Sequence, residues 1–389
     1  MTVPIIYYHS IADNNISQWK HLSLSLASFE RQLKYLKKNG FQTVTISDLV
    51  NCVSHNRPLP PKRVALTFDD GFLDNWVFAY PLLKKYGFSG TIFISPDFIC
   101  DSDRPRPSLH DVWAQRAELE ELEWWGYVSW AELWEMSESG VMDIQSHGMT
   151  HNNYFKSDRI IDFHHPSDSY YWLNWLFDTK GKPGWLRKPH NFNDRYGYPV
   201  YEYGPGICAP RYKNDDQLAE YLVEYVKENG RENFFRAGWR MRLEDKVSQY
   251  YVDHEINAGF ESKEDYVTRI TWELATSKQV IEERLGKPCV AMCWPNGGFT
   301  KEAHSIAMEN TGYKCSLAVT EFPVPGLNSL WGRVSFRQDY QGAFKDTVHF
   351  IKFVSIVESR AGIGIRKQLV SAYQSLKGVS RPRVQLTIG

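Results

Sequence analysis

The sequence lacks the features that mark several specialised classes of protein. It has 45 basic and 46 acidic residues and a formal net charge of -1, so no global positive field would recruit a nucleic acid. It has no apolar run long enough to span a bilayer, and its start lacks the basic and apolar regions of a secretory signal. We therefore expect a cytoplasmic protein, at most peripheral to a membrane, without a nucleic-acid partner.

Cysteine is scarce as well. The six cysteines form neither a Cys-x-x-Cys pair nor a dense framework, which predicts free buried thiols rather than disulfides. Cys289 and Cys293 lie four residues apart, but they flank an apolar run, and a structural zinc site needs two such pairs. We expect no structural metal at these cysteines.

Aromatic residues, in contrast, are abundant. They make up 15% of the chain, and many of its 14 tryptophans and 22 tyrosines lie between residues 113 and 272. Two interpretations remain open at this point. The rings are core and surface residues, or they bind sugars, because a flat ring packs on the C–H face of a pyranose while a phenol or indole N–H bonds its hydroxyls.

Strands and helices alternate in both end regions of the chain. This pattern predicts an α/β fold with a parallel sheet, either open or closed into a barrel. Alternation stops over residues 156–268, which contain one clear helix at residues 215–229, and it resumes with a helix at residues 269–285. We read the middle segment as an insertion rich in tyrosine and tryptophan, and a separate domain with its own core is the alternative. The predicted parts are residues 1–155, 156–268, 269–340 and a C-terminal helical segment at 341–389.

The C-terminal segment has a helical pattern from residue 344 to about residue 377. Its apolar residues are concentrated between Val348 and Ile356. Packing of this helix on the rest of the chain is the simpler interpretation, and contact with a membrane surface or a partner is the alternative.

Two adjacent carboxylates follow the strand predicted over residues 63–68. Asp69 and Asp70 come directly before Gly71, where the chain can turn. The carboxyl end of a parallel strand is where α/β proteins place their sites, and neighbouring carboxylates stay ionised only beside a cation such as a metal ion. The alternative is that one of them merely caps the following helix.

His147 and His151 follow another predicted strand and are separated by three residues. Two histidines at this spacing lie on one face of a helical turn and can hold one ion. With the Asp-Asp turn they form a set of two histidines and one aspartate, which leaves positions for water and substrate as catalytic sites do. Such a set suits a divalent metal, with zinc favoured and cobalt, nickel or iron as alternatives.

These two motifs resemble the signatures of the NodB-type polysaccharide deacetylases, carbohydrate esterase family 4. Pro-Ile-Ile-Tyr-Tyr-His at residues 4–9 and the spacing of residues 29–41 resemble the bacterial poly-N-acetylglucosamine deacetylase branch. The resemblance covers about residues 3–155 and 269–340 and leaves out the insertion. It implies a distorted (β/α)7–8 barrel of parallel strands, with the site at the mouth formed by their carboxyl ends.

The resemblance also implies a division of roles. Asp70, His147 and His151 would hold the metal, and Asp69 would be the general base. His9 would be the general acid that protonates the leaving amine. The alternative for His9 is local packing at the end of its strand.

An arginine in this family often steadies the base. Arg333 is our candidate, and Arg211 is the rival, otherwise expected on the substrate side. Trp294 and Asn296 stand where the related branch usually has tyrosines, so the wall beside the oxyanion site differs. The turn that begins at Pro295 would supply a backbone N–H to the oxyanion. We therefore expect these three residues to line the substrate site.

Two further departures concern substrate choice. Gly148 stands where serine or threonine is common, which would loosen the loop that holds the histidines. The insertion would roof the site and restrict the enzyme to one sugar unit or one end of a glycan. We interpret its histidines, His164, His165 and His190, as ordinary polar residues.

The sequence therefore predicts a metal-dependent hydrolase that removes the N-acetyl group from an amino sugar in a bacterial surface glycan or its precursor. A non-catalytic carbohydrate-binding protein on the same fold is the alternative, although it would not need a base beside the metal. A glycosidase that uses Asp69 and Asp70 is disfavoured, because neighbours on one turn rarely face each other across the roughly 5 Å or more that glycosidases require.

Overall fold

The computed structural model describes residues 3–13, 20–187, 193–320, 326–335 and 345–361. The strands in chain order are β1 (Ile5–Tyr8), β2 (Ser10–Ile11), β3 (Ser23–Leu24), β4 (Gln42–Thr43), β5 (Arg63–Phe68), β6 (Gly90–Ile94), β7 (Met142–Ser146), β8 (Asn153–Phe163), β9 (Pro199–Pro205), β10 (Tyr212–Lys213), β11 (Gly259–Phe260), β12 (Ala291–Cys293), β13 (Cys315–Ala318), β14 (Leu330–Gly332) and β15 (Val334–Ser335). The α-helices are α1 (Leu26–Lys38), α2 (Ile46–Ser54), α3 (Tyr80–Tyr86), α4 (Leu109–Trp113), α5 (Trp130–Glu138), α6 (Leu173–Phe177), α7 (Asp216–Glu228), α8 (Trp239–Asp253), α9 (Lys263–Leu285), α10 (Lys301–Ser305) and α11 (Lys345–Arg360).

A parallel sheet forms the centre of the fold. Its strands pair in the order β14-β13-β12-β7-β6-β5-β1-β15, and β4 also pairs with β5. The two ends of this order, β14 and β15, are consecutive in the chain and are separated only by Arg333. The chain therefore crosses from one edge of the sheet to the other and nearly closes it into a barrel. This confirms the α/β class and the distorted barrel that the sequence predicted.

The barrel strands and their helices follow from the hydrophobic pattern. All five residues of β6 are buried, as expected for a parallel strand covered on both faces. Helix α1 is amphipathic and buries Phe29, Leu33 and Leu36 at helical spacing. The side chain of Ser25 caps its first turn by accepting a hydrogen bond from the N–H of Ser28.

The segment between β7 and β12, which are neighbours in the sheet, carries the interruption in the alternating pattern. It contains the long antiparallel hairpin of β8 and β9 and the helices α6, α7 and α8. One of its buried clusters combines its own aromatic rings with Phe72, Phe98 and Tyr127 from the barrel loops. The aromatic segment therefore packs against the mouth of the barrel.

The helix predicted at residues 215–229 is confirmed as α7, but it is not alone, because the segment also contains α6, α8 and the start of α9. Helix α8 was missed because it begins after Gly238 without a side-chain cap and buries only Leu243, Val247 and Tyr250. Helix α9 was predicted to begin at Arg269 but begins six residues earlier, where the Ser262 side chain caps its first turn.

Helix α11 packs on the rest of the chain. Phe353 and Val357 are fully buried, and the Tyr35 hydroxyl of α1 donates a hydrogen bond to Oε1 of Glu358 at 2.6 Å. The Arg31 guanidinium lies 3.9 Å from the Phe350 ring centre. These contacts agree with the packing interpretation, and the predicted continuation of the helix beyond residue 361 lies outside the described residues. Nothing in the described ranges combines the helix length and hydropathy needed to cross a bilayer.

The six cysteines are free, as predicted, and four of them are buried. Burial raises the pKa values of the Cys289 and Cys293 thiols above their ordinary values.

Candidate active site

Six of the predicted site residues meet at the mouth formed by the carboxyl ends of the barrel strands. Their positions follow directly from the topology, because each comes after a strand or at the crossing between β14 and β15. They are His9, Asp69, Asp70, His147, His151 and Arg333.

One carboxylate and two imidazoles form a triangle. Oδ1 of Asp70 lies 3.3 Å from Nε2 of His147 and 3.4 Å from Nε2 of His151. All three ligand atoms lie within 4.8 Å of one another. Burial raises the pKa of Asp70, but hydrogen bonds to the two histidines outweigh it and hold the pKa well below its usual value. The triangle therefore combines an ionised carboxylate with two nitrogen donors, which suits a divalent metal.

Hydrogen bonding orients His147 for such a role. Its Nδ1 lies 2.8 Å from the carbonyl oxygen of Cys293, which can only accept a hydrogen bond. Nδ1 therefore carries a proton, and Nε2, which faces Asp70, is the ring nitrogen that would bind an ion. The backbone N–H of His147 also donates to the carbonyl of Ile94 at 2.8 Å.

A second group of ligand-type atoms, from Asp69, His147 and Cys293, is also close enough to surround an ion. It fits a metal less well, because both carboxylate oxygens of Asp69 are already engaged by Arg333. The Asp70 triangle is therefore the better candidate site.

Arg333 binds Asp69 with both ends of its guanidinium. Nη1 and Nη2 lie 2.7 and 2.8 Å from the two carboxylate oxygens, and both residues are 2% exposed. Burial raises the pKa of Asp69, but the charge and hydrogen bonds of Arg333 outweigh it and lower the pKa below its ordinary value. The guanidinium also lies 4.6 Å from the ring centre of Tyr7. Asp69 is thus a rigidly held, ionised carboxylate beside the triangle.

Arg211, the rival for this role, lies elsewhere. Its guanidinium packs 4.6 Å from the ring centre of Tyr154, and its backbone N–H donates to Oε1 of Glu261 at 2.6 Å. The structure therefore brings Arg333, and not Arg211, to Asp69.

His9 lies at the edge of the same site. Its Nε2 is 4.0 Å from Oδ2 of Asp69, and its side chain is 18% exposed. Burial lowers the pKa of His9, whereas the charges of Asp70 and Asp69 act in the opposite direction. His9 therefore lies beside Asp69 and is partly open to solvent.

The turn after β12 is placed beside His147, but its residues differ in exposure. Trp294 is fully buried, and its indole N–H donates to Oγ of Ser316 at 2.9 Å, so its side chain offers no surface to a substrate. This differs from its predicted place in the wall of the site and follows from its packing in the core. Pro295 is also buried, whereas Asn296 is exposed and has a left-handed φ of 54°.

Aromatic residues that the sequence analysis had not singled out surround His151; we call Phe98, Tyr127, Tyr171 and Trp175 the ring wall. The ring centres of Trp175 and Phe98 lie 6.1 and 6.4 Å from that of His151. Tyr171 packs 5.5 Å from Trp175. Burial, and then the charge of Asp70, raise the pKa values of Tyr127 and Tyr171. The aromatic composition of residues 156–268 was the available signal for Tyr171 and Trp175, but it did not indicate which rings reach the site.

Gly148 fits its position in the loop. Its φ is 79°, a conformation that favours glycine. A Cβ at this position would lie only 3.1 Å from Cδ1 of Ile207 and 3.4 Å from Oε1 of Glu273. The missing side chain therefore lets Ile207 pack directly on the loop, and the expectation of a loosened loop finds no support in these contacts.

The two predicted histidines of the middle segment that the structure describes have local partners. His164 lies 2.6 Å from Oδ2 of Asp168 through Nδ1, and His165 packs 5.0 Å from the ring of Trp239. His190 lies outside the described residues.

Comparison with known proteins relates the chain to one family. The family model described as polysaccharide deacetylase matches residues 56–189, a range that contains the Asp-Asp turn and both histidines. YxkH of Bacillus subtilis, a protein named for the same family, is 40% identical over 92 residues, which are 24% of this chain and 31% of that protein.

Two enzymes named poly-beta-1,6-N-acetyl-D-glucosamine N-deacetylase also align. The Escherichia coli K12 protein is 24% identical over 142 residues, which cover 36% of this chain and 20% of that protein. The Staphylococcus aureus MRSA252 protein is 25% identical over 142 residues, which cover 36% of this chain and 42% of that protein. The alignments thus span between 20% and 42% of the length of these curated relatives.

Among solved structures, a de-N-acetylase from Aggregatibacter actinomycetemcomitans superimposes with a TM-score of 0.54. The two chains are 18% identical, and the superposition covers 90% of this chain and 100% of the other. At this identity the likeness establishes the shared fold.

Proposed function

Because this chain carries a polysaccharide deacetylase domain, we propose that it is a metal-dependent hydrolase that removes the N-acetyl group from an amino sugar in a bacterial surface glycan or its precursor. The observation that carries this proposal is the pairing of the Asp70, His147 and His151 triangle with a neighbouring carboxylate, Asp69, that is ionised and fixed by Arg333. A sugar-binding site has no need for such a base.

The triangle would hold the metal, for which we propose zinc, with cobalt, nickel or iron as alternatives. The oriented Nε2 of His147 and the ionised Asp70 support this assignment. A divalent ion held there supplies Lewis acidity, which polarises the acetyl carbonyl and lowers the pKa of the attacking water.

Asp69 would act as the general base. Its carboxylate takes a proton from the attacking water while the water oxygen bonds to the acetyl carbon. Arg333 keeps Asp69 ionised and in one orientation, so the carboxylate can accept a proton without first reorienting. The two-ended contact costs the base some proton affinity, but it removes the need to reorganise a charged side chain during the reaction.

His9 would act as the general acid. Breaking the amide C–N bond releases an amine, which must gain a proton to leave. The partly exposed imidazole, 4.0 Å from Asp69, supports this role. The products are acetate and a free amino group on the sugar.

The oxyanion would be stabilised in part by the backbone N–H of Asn296. In its turn, Gly297 and Gly298 donate their N–H groups to the carbonyls of Trp294 and Pro295, and Pro295 has no N–H. The remaining donor of the turn is therefore the N–H of Asn296, next to the strand end that orients His147.

The substrate would contain β-linked N-acetylglucosamine, as the names of the aligned Escherichia coli and Staphylococcus aureus enzymes suggest. Tyr171, the exposed member of the ring wall, would pack on the sugar ring, because the other three members are buried. A wall on this side of the mouth would favour one sugar unit or one end of a glycan over the interior of a long chain.

Acetate release tests the proposal. Purified protein is incubated with a panel of N-acetylated oligosaccharides and sugar precursors, with and without a chelator and added Zn²⁺, Co²⁺ or Ni²⁺. We expect release from at least one glucosamine-containing substrate, its loss on chelation and its recovery with metal. Sugar binding without acetate release from any substrate would contradict the proposal and support a carbohydrate-binding protein.

A further inference from the structure

The loop that carries both histidines, residues 146–151, is held at Thr150 by a buried carboxylate. Oε1 of Glu273, in α9, accepts hydrogen bonds from the Thr150 backbone N–H at 2.6 Å and from its hydroxyl at 2.9 Å. Both residues are buried. The residue that precedes His151 is therefore fixed through its N–H and its side chain at once.

The carbonyl of the same Thr150 is held by a lysine from the aromatic middle segment. Nζ of Lys182 donates to this carbonyl at 2.9 Å and to Oδ2 of Asp97 at 2.9 Å. The Lys182 side chain is fully buried. A lysine is rarely buried so completely, because its ammonium loses its hydration, and the two hydrogen bonds offset this cost.

Asp97 links the lysine back to the loop. Its carboxylate accepts from Lys182, and its backbone N–H donates to the carbonyl of Met149 at 3.2 Å. Asp97, in the segment after β6, therefore contacts both Lys182 and the histidine loop.

The conformation of His151 explains why such support is needed. Its φ of 51° lies in the left-handed region, which costs an ordinary residue about 1 kcal/mol or more. The next residue is held as well, because the Asn152 carbonyl accepts from the N–H of Gly206 at 2.8 Å. A strained residue persists only when its surroundings determine its conformation, and here those surroundings come largely from outside the barrel strands.

We propose that Lys182 and Glu273 are positioning residues that hold Thr150 and thereby keep the His151 imidazole in its metal-binding position. This inference rests on the proposed metal site and adds a second role for the middle segment. The segment contributes Tyr171 and Trp175 of the ring wall and would also determine how tightly the barrel holds its metal.

Metal affinity measured by competition with a chromophoric chelator tests this proposal. Lys182→Met keeps the length and apolar stem of the side chain but removes its donors. We expect it to weaken Zn²⁺ affinity about 10- to 100-fold, the effect of losing a group that orients a metal ligand. At saturating metal, kcat should recover to within a few fold and KM for the sugar should not change. The control is Lys180→Met, which removes an exposed lysine of the same segment and should leave the affinity unchanged.

Thr150→Val provides a second test if Lys182→Met does not fold. It preserves side-chain volume and removes only the hydroxyl that donates to Glu273, and we expect about a threefold to tenfold loss of affinity from one hydrogen bond. A folded Lys182→Met variant that binds Zn²⁺ with wild-type affinity would overturn the proposal, even if its melting temperature fell. If only Thr150→Val folds, wild-type Zn²⁺ affinity in that variant would overturn the proposal.

This result is separable from the proposed function. A wild-type protein that binds metal but releases no acetate would contradict deacetylation and leave the affinity comparison intact. A wild-type protein that binds no metal would overturn both.

Discussion

The two halves of the candidate site are held by different parts of the chain. The base half consists of His9, Asp69 and Arg333, which all stand at the ends or crossing of barrel strands. The metal half consists of Asp70 and the two histidines, and its histidine loop is held by α9 and the middle segment. The barrel strands alone can therefore position the proposed base, whereas the loop of the two proposed histidine ligands is also held by groups outside those strands.

Access to solvent varies within each half. In the base half, Asp69 and Arg333 are each 2% exposed, whereas the side chain of His9 is 18% exposed. In the metal half, the side chains of Asp70 and His151 are 20% and 14% exposed. A substrate would therefore meet the more exposed side chains first, and Asp69 would act from the dry side of the mouth, where its charge is little screened by water.

The largest expected effect comes from removing the base. Asp69→Asn should lower kcat by about 10²- to 10⁴-fold, the range for loss of a general base, because the amide cannot accept the proton of the attacking water. Zn²⁺ affinity should stay within a few fold of wild type, since Asp69 is not part of the triangle. Acetate release and chelator competition on the same preparation measure both. Full activity in this variant would show that another group is the base.

Removing the arginine should destabilise the base half. Arg333→Met leaves Asp69 buried without its partner, which typically costs about 3–5 kcal/mol in the free energy of unfolding. Denaturant unfolding measures this loss. Because burial alone raises the pKa of Asp69 and Arg333 lowers it, the pKa should rise in the variant. The decline of kcat as the pH falls should then begin at a higher pH than in wild type.

Arg211→Met is the matched control for this prediction. Arg211 packs on Tyr154 and does not contact Asp69, so the pH profile should remain that of wild type. A pH shift in Arg211→Met, with none in Arg333→Met, would reverse our assignment.

A smaller effect is expected where the middle segment meets the histidine loop. Gly148→Ser places a side chain at a φ of 79° and 3.1 Å from Ile207, and we expect a loss of about 1–3 kcal/mol in the free energy of unfolding. Ile207→Ala destabilises on its own because it truncates a buried side chain, but it also removes the crowding, so the double variant should lose less than the two single losses added together. Thermal unfolding of both variants and of Ile207→Ala alone measures the coupling. Strict additivity would show that the two residues do not interact.

The smallest effect concerns the ring wall. Tyr171 is 37% exposed and lies near enough to Asp70 to sense its charge, so its ring can pack on a bound sugar. Tyr171→Ala should raise KM about threefold to tenfold, the contribution of one aromatic contact, with little change in kcat. Tyr251→Ala, at an exposed tyrosine of α8, is the control and should leave KM unchanged. Equal KM values for Tyr171→Ala and wild type would remove Tyr171 from the substrate site.

The base half and the triangle were predictable from sequence for a physical reason. Parallel strands bring their carboxyl ends to one mouth, so residues that directly follow separate strands must meet there. Only the structure could decide between Arg333 and Arg211, because nothing in the local sequence indicates which arginine contacts Asp69. The resemblance of the motifs indicated a role for each residue, and the parallel-strand topology indicated that these residues lie close together.

The support of the metal half was not predictable in the same way. Lys182 lies in a stretch without hydrophobic periodicity, and a lysine in such a stretch is normally exposed. Its burial depends on Asp97 and Thr150, which are distant in the sequence. The start of α9, in contrast, could have been predicted from the sequence. Ser262 precedes Asp265 at capping-box spacing and marks the first turn of the helix.

A metal titration of the metal-free protein tests the central claim most directly. Acetate release from an N-acetylglucosamine oligomer is followed while Zn²⁺ is added to wild type and to His151→Ala. We predict that wild-type activity rises from near zero and reaches a plateau at one equivalent of metal per chain, while His151→Ala shows no rise at that ratio. Full acetate release by the metal-free wild type, or the same titration curve for both proteins, would contradict the account.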